Sequence, residues 1–350
     1  RTIRLQTQIL MNPKNGMIIF LQEIENNGDR MTEEIRGIIL KGVGGLYGVR
    51  PAHMENDADD VIFCSARGLF RHESITPLPG DEVILRRLDA AGEDSYVIHE
   101  ILSRRNSLVR PAIANLSHLF VVIPAAKPKP DLLMADKLIS AAEDKKIEPV
   151  VVISKTDTDA ESAAEIADIY RIGEFPVFTV SCAAGIGVDV LRTYIAERAS
   201  NSRVTAAFAG VSGAGKSTLM SALFPTLQLK TGAVSRKIQR GRHTTRHAEL
   251  YPVDCGGSCF IADTPGFSML DFARYHAIEP EDLPYTFREF VSCIGNCRYT
   301  KCMHTKEEGC AVLEKMAAGE IAASRHVHYC EILEEIRKNP QWKRRKDERK

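Results

Sequence analysis

One run of eight residues constrains this chain more than any other. It fits the pattern G-x-x-x-x-G-K-[ST] at every position: Gly210-Val211-Ser212-Gly213-Ala214-Gly215-Lys216-Ser217. An apolar stretch precedes it and a helical stretch opening at Thr218 follows it. In that context the glycines let backbone N–H groups turn towards phosphate oxygens, and the helix adds the positive end of its dipole. We therefore predict that residues 210–218 bind nucleotide phosphates, with Lys216 on the β- and γ-phosphates and Ser217 on Mg²⁺.

A second phosphate-facing element follows about fifty residues later. Asp263-Thr264-Pro265-Gly266 comes at the end of an apolar strand pattern, where the carboxylate can hold the hydration shell of Mg²⁺ and the Gly266 N–H can contact the γ-phosphate. The polar loop between the two elements contains Thr244 and Thr245, and one of these hydroxyls is expected to close over Mg²⁺. The spacing does not choose between them, and Thr245 is favoured.

The base is predicted from two short segments that precede the phosphate loop. Ser154-Lys155-Thr156-Asp157 is similar to the guanine-recognition pattern [NT]-K-x-D, and Ser181-Cys182-Ala183 is similar to the S-A-K/L pattern. The carboxylate of Asp157 would accept hydrogen bonds from guanine N1 and N2. In ordinary GTPases these segments follow the phosphate loop. The order here therefore predicts a circularly permuted GTPase domain.

The spacing of apolar residues along the chain predicts two kinds of sheet. Short alternating strands with glycine turns fill residues 37–102, which favours a small OB-type barrel, with an SH3-like barrel as the competing interpretation. Beyond residue 111, continuous apolar runs alternate with helical stretches, which predicts an α/β fold with a parallel sheet. Those runs are residues 119–123, 149–153, 176–180, 204–209 and 259–262.

Four possible metal ligands crowd into fourteen residues near the C-terminal end. Cys297, Cys302, His304 and Cys310 form the spacing C-x4-C-x-H-x5-C. Three thiolates and one imidazole suit a closed tetrahedral Zn²⁺ site, which predicts one structural zinc ion per chain in a helical module. Cys293 is a possible substitute ligand. The remaining cysteines are interpreted as ordinary small side chains: Cys64, Cys182, Cys255, Cys259 and Cys330.

Composition limits the remaining function classes only in part. The 350 residues carry 46 basic and 46 acidic side chains, so net charge says nothing about partners. Without a signal-peptide pattern or an apolar run long enough for a membrane helix, a cytoplasmic protein with no membrane partner is expected. We expect four segments: an extension over residues 1–36, an RNA-binding OB barrel over 37–110, a permuted GTPase domain over 111–283, and a zinc module with a basic tail over 284–350. For the first segment, a natural start at Met31 is favoured, with a genuine N-terminal arm as the alternative.

Together these features resemble the ribosome small-subunit-dependent GTPase A (RsgA) family of bacterial 30S maturation factors. The resemblance covers residues 37–337 and includes Gly241-Arg242-His243-Thr244-Thr245 and the cysteine-rich run followed by Ala311-Val312. It implies slow GTP hydrolysis that the 30S subunit stimulates, and binding to 16S rRNA late in subunit assembly. A monomer is expected. The family usually has Asn at the position of Ser154, and Asn-Val-Asp-Gln where this chain has Asn115-Leu116-Ser117-His118.

The residue that positions the attacking water is not expected at its usual place, directly after D-x-x-G. Many GTPases have Gln after D-x-x-G, whereas Phe267 occupies that position here and cannot orient water. His243 is the candidate, with Lys216 and Thr245 as the other catalytic groups. Two rivals remain: a P-loop ATPase or kinase, against which Asp157 and the permutation argue, and a zinc-containing RNA-binding protein that uses the nucleotide only as a binding switch.

Overall fold

The computed structural model describes residues 4–12, 16–24, 34–52, 61–67, 75–88, 95–109, 111–225, 227, 248–263 and 278–338. Residues 1–34 and residues 35–350 form two separate units. The first unit contains an antiparallel hairpin of β1 (Arg4–Asn12) and β2 (Gly16–Ile24), with Arg4 opposite Ile24. The sequence analysis expected only an extension here. Asn15-Gly16, between two apolar runs, is a turn signal that would have predicted this hairpin.

Five strands close into a barrel at the start of the second unit. They are β3 (Glu34–Val43), β4 (Leu46–Pro51), β5 (Ile62–Ala66), β6 (Glu82–Leu88) and β7 (Ser95–Ile101). The order around the barrel is β3-β4-β5-β7-β6. Strands β5 and β7 are parallel, whereas the pairs β3–β4, β4–β5 and β6–β7 are antiparallel. This crossover gives a Greek-key barrel of the OB type and not a simple meander. Alternate residues fill its interior: Ile39, Val49, Cys64, Val83, Leu85 and Ile98.

A six-stranded sheet forms the GTPase domain, after a small pair of β8 (Ser107–Val109) and β9 (Ala112–Ala114). Its strands are β10 (His118–Pro124), β11 (Glu148–Ser154), β12 (Val177–Val180), β13 (Val204–Ala209), β14 (Glu249–Asp254) and β15 (Ser258–Asp263). Their order is β12-β11-β10-β13-β15-β14. The sheet is parallel as predicted, except that β14 runs antiparallel to β15 at one edge. That edge strand was not predicted.

Helices cover both faces of this sheet, so β10, β11 and β13 are buried almost throughout. They are α1 (Leu132–Asp144), α2 (Ala160–Ile172), α3 (Val188–Asn201) and α4 (Lys216–Leu223). The carboxylates of Asp131 and Asp159 cap the first two helices by accepting hydrogen bonds from the backbone N–H groups of Met134 and Ser162. Within the described residues, no helix combines the length and apolarity needed to cross a membrane.

The C-terminal module contains a 3₁₀ turn (Leu283–Thr286), α5 (Arg288–Val291), α6 (Ala311–Ala317) and α7 (Ala323–Lys338). The helical module predicted from the sequence is therefore present among the described residues. Phe287 and Phe290 are fully buried and pack on Tyr329 of α7, which stabilises the two short helical turns.

A buried arginine links this module to the GTPase domain through ion pairs. Arg325 of α7 donates to Asp136 of α1 at 2.6 Å and to Glu289 of α5 at 2.7 Å, and its guanidinium lies 4.6 Å from the ring centre of Phe287. His328 contacts the other carboxylate oxygen of Asp136 at 2.6 Å. Buried arginine with two buried carboxylates holds the two parts in one arrangement.

The barrel is joined to the opposite region of the GTPase domain, at β14 and β15. Ile38 and Leu40 of the barrel share an apolar cluster with Leu250 and Phe260. The ammonium of Lys41 lies 3.3 Å from a carboxylate oxygen of Glu249 in β14. The barrel therefore packs against the strand that follows residues 228–247, the segment that carries the predicted switch threonines.

Candidate nucleotide and metal sites

The phosphate loop lies between β13 and α4, at the carboxyl edge of the sheet. Gly213 and Gly215 have φ of 80° and 92°, in the left-handed region that favours glycine. Gly210 has φ of 153°, and a Cβ there would stand 2.3 Å from the carbonyl oxygen of Val122. Only glycine permits this close approach to the neighbouring strand. The sequence pattern therefore has a steric basis at these three positions.

Lys216 is the first residue of α4, and its side chain turns back into the loop. Its ammonium donates hydrogen bonds to the carbonyl oxygens of Gly210 and Val211, at 2.7 and 2.9 Å. Burial lowers the pKa of this ammonium. Ser217 and Thr218 follow at the exposed start of the same helix. A cation inside a ring of backbone groups at a helix start is an arrangement suited to phosphate oxygens.

The guanine-recognition segment leaves β11 beside this loop. Lys155 adopts φ of 58°, and its ammonium donates to the carbonyl oxygen of Lys127 at 2.8 Å. The Cε atom of Lys155 lies 3.8 Å from the point that a Cβ on Gly215 would occupy, so its stem runs along the phosphate loop. Ser154 is buried and bonds to the loop, while Asp157 is exposed. Lys155 and Asp157 thus follow β11 at the same sheet edge as the phosphate loop.

The two predicted base-binding segments contact each other. The buried hydroxyl of Ser181, at the end of β12, donates a hydrogen bond to one carboxylate oxygen of Asp157. The backbone N–H of Ala184 donates to the same hydroxyl at 3.1 Å, so the hydroxyl is fixed as an acceptor on one side and a donor on the other. Burial, followed by the charge of Asp157, raises the pKa of the neighbouring Cys182 thiol. Ala183 is exposed beside them. The carboxylate is held with its second oxygen available.

The remaining predicted nucleotide residues are only partly described. The backbone of Asp263 ends β15 and pairs with Glu249 of β14, which puts it at the same sheet edge as the phosphate loop. His243, Thr244, Thr245 and Gly266 lie outside the described residues. Their roles stay predictions.

The four predicted metal ligands come together in the C-terminal module. Sγ of Cys297, Cys302 and Cys310 and a ring nitrogen of His304 all lie within 4.8 Å of one another, and these four could hold a metal ion. The Nδ1 atom of His304 is 3.5 Å from the sulfur atoms of both Cys297 and Cys310. With Zn–S of about 2.3 Å and Zn–N of about 2.05 Å, a regular tetrahedron also places sulfur and nitrogen about 3.5 Å apart.

Backbone N–H groups contact two of the ligand sulfur atoms and help to position them. The N–H groups of His304 and Ala311 each point at a ligand sulfur, 3.4 Å away. Burial raises the pKa of the Cys302 thiol. A metal cation bound by the four ligands would stabilise the thiolate form. Cys293 is buried nearby but is not part of the four-residue group, so it is not needed as a substitute ligand.

Comparisons with known proteins agree with this geometry. The family model described as "RsgA GTPase" matches residues 101–273, and the "RsgA N-terminal domain" model matches residues 36–95. The small ribosomal subunit biogenesis GTPase RsgA of Ruminiclostridium cellulolyticum is 37% identical over 317 residues, covering 89% of this chain and 97% of that protein. The chain belongs to the RsgA GTPase family. The family and the nucleotide motifs make it a GTPase.

Further relatives support this assignment. The protein of the same name from Enterococcus faecalis is 40% identical over 314 residues, covering 89% of this chain and 99% of that protein. The crystal structure of YjeQ from Thermotoga maritima matches with a TM-score of 0.71 and 30% identity, over 88% of this chain and all of that one. YloQ, described as a circularly permuted GTPase, matches with a TM-score of 0.68 and 32% identity, over 87% of this chain and 96% of that one.

Three groups that support these sites lie outside every motif from which the sites were predicted. The Lys127 carbonyl holds Lys155, Arg325 fastens the metal module to α1, and Glu249 faces the barrel. A backbone carbonyl gives no sequence signal, and single charged residues in amphipathic elements look like solvent-exposed ones. Only the tertiary pairing distinguishes them.

Proposed function

We propose that this RsgA-family chain is a GTP hydrolase that binds the 30S ribosomal subunit and its 16S rRNA, and acts late in small-subunit maturation in the cytoplasm. Its hydrolysis is stimulated by the subunit, and the chain acts as a monomer with no membrane partner. The names of its relatives supply the biological setting. The observation that carries the proposal is the meeting of the phosphate loop, the Lys155 stem and Asp157 at one sheet edge.

Each nucleotide contact is assigned to a residue of this chain. Backbone N–H groups of residues 210–218 and the Lys216 ammonium bind the phosphates, while residues 154–157 and 181–183 surround the guanine base. Ser217 and Thr245 would ligate Mg²⁺, and Asp263 would hold its hydration shell. The ion would supply positive charge beside the phosphates. Gly266 contacts the γ-phosphate, and His243 positions the attacking water in place of a glutamine.

The metal in the C-terminal module is proposed to be Zn²⁺. Three thiolates with one imidazole at tetrahedral separations are a donor set that zinc favours. All four positions are taken by protein ligands, so no site remains for substrate and the ion is structural. It stabilises a segment between α5 and α6 that has few apolar side chains of its own.

The domain boundaries remain as proposed from the sequence. Residues 37–110 form an RNA-binding barrel, residues 111–283 the permuted GTPase domain and residues 284–350 the zinc module with its basic tail, after an extension over 1–36. The family models over residues 36–95 and 101–273 support the first two boundaries. Residues 339–350, which include the basic tail Lys343–Lys350, lie outside the described residues.

Nucleotide-dependent association with the subunit tests this function. The chain is loaded with a non-hydrolysable GTP analogue or with GDP, and its affinity for purified 30S subunits is measured by co-sedimentation. We expect the analogue form to bind at least several-fold more tightly, in line with a coupling of ~1–3 kcal/mol. Gly266→Ala should abolish that difference while GDP binding persists. Failure of both loaded forms to bind the subunit would refute the proposal, and equal affinity of the two forms would contradict the nucleotide dependence.

A further inference from the structure

An aromatic side chain stands exposed on the outer surface of the barrel. Phe63 of β5 has 56% of its surface exposed, and no other phenylalanine among the described residues is exposed to a comparable degree. Its neighbour Cys64 faces the barrel interior, as strand alternation requires. Phe63 is therefore not a core residue displaced to the surface. It belongs to the outer face by register.

Two residues on adjacent strands make this position a flat platform. Lys41 of β3 pairs with Gly48 of β4, and Gly48 pairs with Phe63 of β5, so the three lie in one row across the barrel. A Cβ on Gly48 would stand 3.3 Å from Cγ of Lys41 and 3.4 Å from Cε1 of Phe63. Its absence leaves room for both side chains to lie close over the middle strand. We call this row the Lys41–Phe63 platform.

The platform carries a cation beside its ring. The Lys41 ammonium is 5.7 Å from the ring centre of Phe63, within the range of a cation–π contact, and 42% of the Lys41 side chain remains exposed. An exposed ring next to a positive charge matches the two parts of a nucleotide, a flat base and a phosphate. Barrels of this fold bind oligonucleotides through the faces of their central strands.

Lys41 also connects the platform to the nucleotide site. It lies 3.3 Å from Oε1 of Glu249, and the other oxygen of that carboxylate accepts a hydrogen bond from Tyr251 at 3.0 Å. Glu249 is the first residue of β14 and pairs directly with Asp263, the last residue of β15. An RNA phosphate that binds Lys41 would therefore compete with Glu249 for the ammonium, at the residue of β14 that pairs with Asp263.

We propose that the Lys41–Phe63 platform stacks an unpaired RNA base on Phe63 while Lys41 contacts its phosphate. The proposal deepens the proposed function and rests on it, because the RNA is taken to be that of the small subunit. The ring supplies stacking that tolerates any base, and the lysine supplies a salt-dependent contribution. A protein loop seated on the same ring is the competing occupant, and it would not require a single strand.

Binding of a short RNA to the full-length chain tests the platform directly. A fluorescein-labelled single-stranded RNA of about 12 nucleotides and its duplex are titrated by anisotropy across a range of NaCl concentrations. We expect Phe63→Leu, which keeps an apolar side chain, to weaken single-strand binding about tenfold, whereas Phe63→Tyr binds within about twofold of the wild type. Lys41→Gln should reduce the salt slope by ~0.7. Leu88→Ala, an exposed apolar position elsewhere on the barrel, is the matched control and should change nothing.

Three results would overturn the platform. One is equal single-strand affinity of wild type and Phe63→Leu, including the case in which neither binds. Another is duplex binding as tight as single-strand binding. The third is a Phe63→Leu chain that loses 30S binding while keeping its RNA affinity, which would assign the ring to a protein. Basal GTP hydrolysis and circular dichroism of Phe63→Leu check the fold. Failure of the wild type to bind 30S subunits refutes the proposed function separately, since the oligonucleotide titration does not use them.

Discussion

The hydroxyl of Ser154 donates a hydrogen bond to the backbone carbonyl oxygen of Ala214, with 2.6 Å between the two oxygen atoms. Ser154 ends the strand that leads to Asp157, and Ala214 lies inside the phosphate loop. One buried hydrogen bond therefore joins the segment predicted to contact the base to the segment predicted to contact the phosphates. Ser154 makes this connection through its hydroxyl, at the position where the guanine-recognition pattern has asparagine or threonine.

Ser154→Ala is expected to lower both stability and nucleotide affinity. The change leaves the buried carbonyl of Ala214 without this donor, which costs about 1–3 kcal/mol. GTP and GDP affinities should fall by similar factors, because the hydrogen bond supports the base site and the phosphate loop together. Fluorescent nucleotide titration and urea unfolding measure the two effects. Ser154→Thr, which keeps the hydroxyl, serves as the control. Unchanged affinities in the alanine variant would show that the link has no role.

Asp157→Asn should move base preference from guanine towards xanthine. The carboxylate, held by Ser181, offers two acceptors to guanine N1 and N2, whereas an amide offers a donor to xanthine O2. GTP affinity should fall roughly 10- to 100-fold, since a hydrogen bond to a charged group contributes about 1.5–3 kcal/mol. Competition between GTP, XTP and ATP measures the shift. Asp159→Asn is a matched control, because asparagine can also cap α2. GTP affinity that survives Asp157→Asn intact would remove Asp157 from the base site.

Elemental analysis should find one zinc ion per chain. Cys302→Ala removes one of the four ligands, so it should release the metal and unfold the module around α6 and α7. Circular dichroism and limited proteolysis report the unfolding. Cys330→Ala changes a half-buried cysteine of α7 outside the ligand group and should retain the ion. A folded module in the Cys302 variant, or a wild-type chain free of zinc, contradicts the assignment.

Arg325→Met is expected to destabilise the chain by ~3–5 kcal/mol, because it leaves the buried carboxylates of Asp136 and Glu289 without their cation. Arg325→Lys should restore only part of this, since one ammonium cannot reproduce the two-sided hydrogen bonding of a guanidinium. Urea unfolding measures the change. Arg337→Met, at an exposed position of the same helix, is the control. A loss of less than 1 kcal/mol for Arg325→Met would mean that this ion cluster does not fasten the C-terminal module.

The parts of the fold that the sequence predicted are those with a local signal. Continuous apolar runs located β10, β11 and β13, because a strand buried on both faces has no polar alternation. The glycine-rich pattern located the loop between β13 and α4, because backbone geometry there excludes other residues at Gly210, Gly213 and Gly215. The spacing of Cys297, Cys302, His304 and Cys310 predicted a cluster that the chain assembles locally.

The parts that the sequence did not predict depend on contacts between distant segments. The antiparallel edge strand β14 has a weakly apolar pattern, and its pairing with β15 is visible only in the sheet. Arg325 and Asp136 are 189 residues apart, and neither lies in a recognisable motif. The same holds for Lys41 and Glu249, whose contact joins the barrel to β14.

Single-turnover and steady-state GTP hydrolysis, with and without purified 30S subunits, tests the central claim most directly. The account predicts slow hydrolysis by the chain alone and a rate ~10-fold or more higher with subunits, because their contacts order the segment around His243. His243→Ala should lose most of that stimulation and keep GTP binding. Equal turnover with and without subunits would contradict the account and leave a chain that uses the nucleotide only as a binding switch.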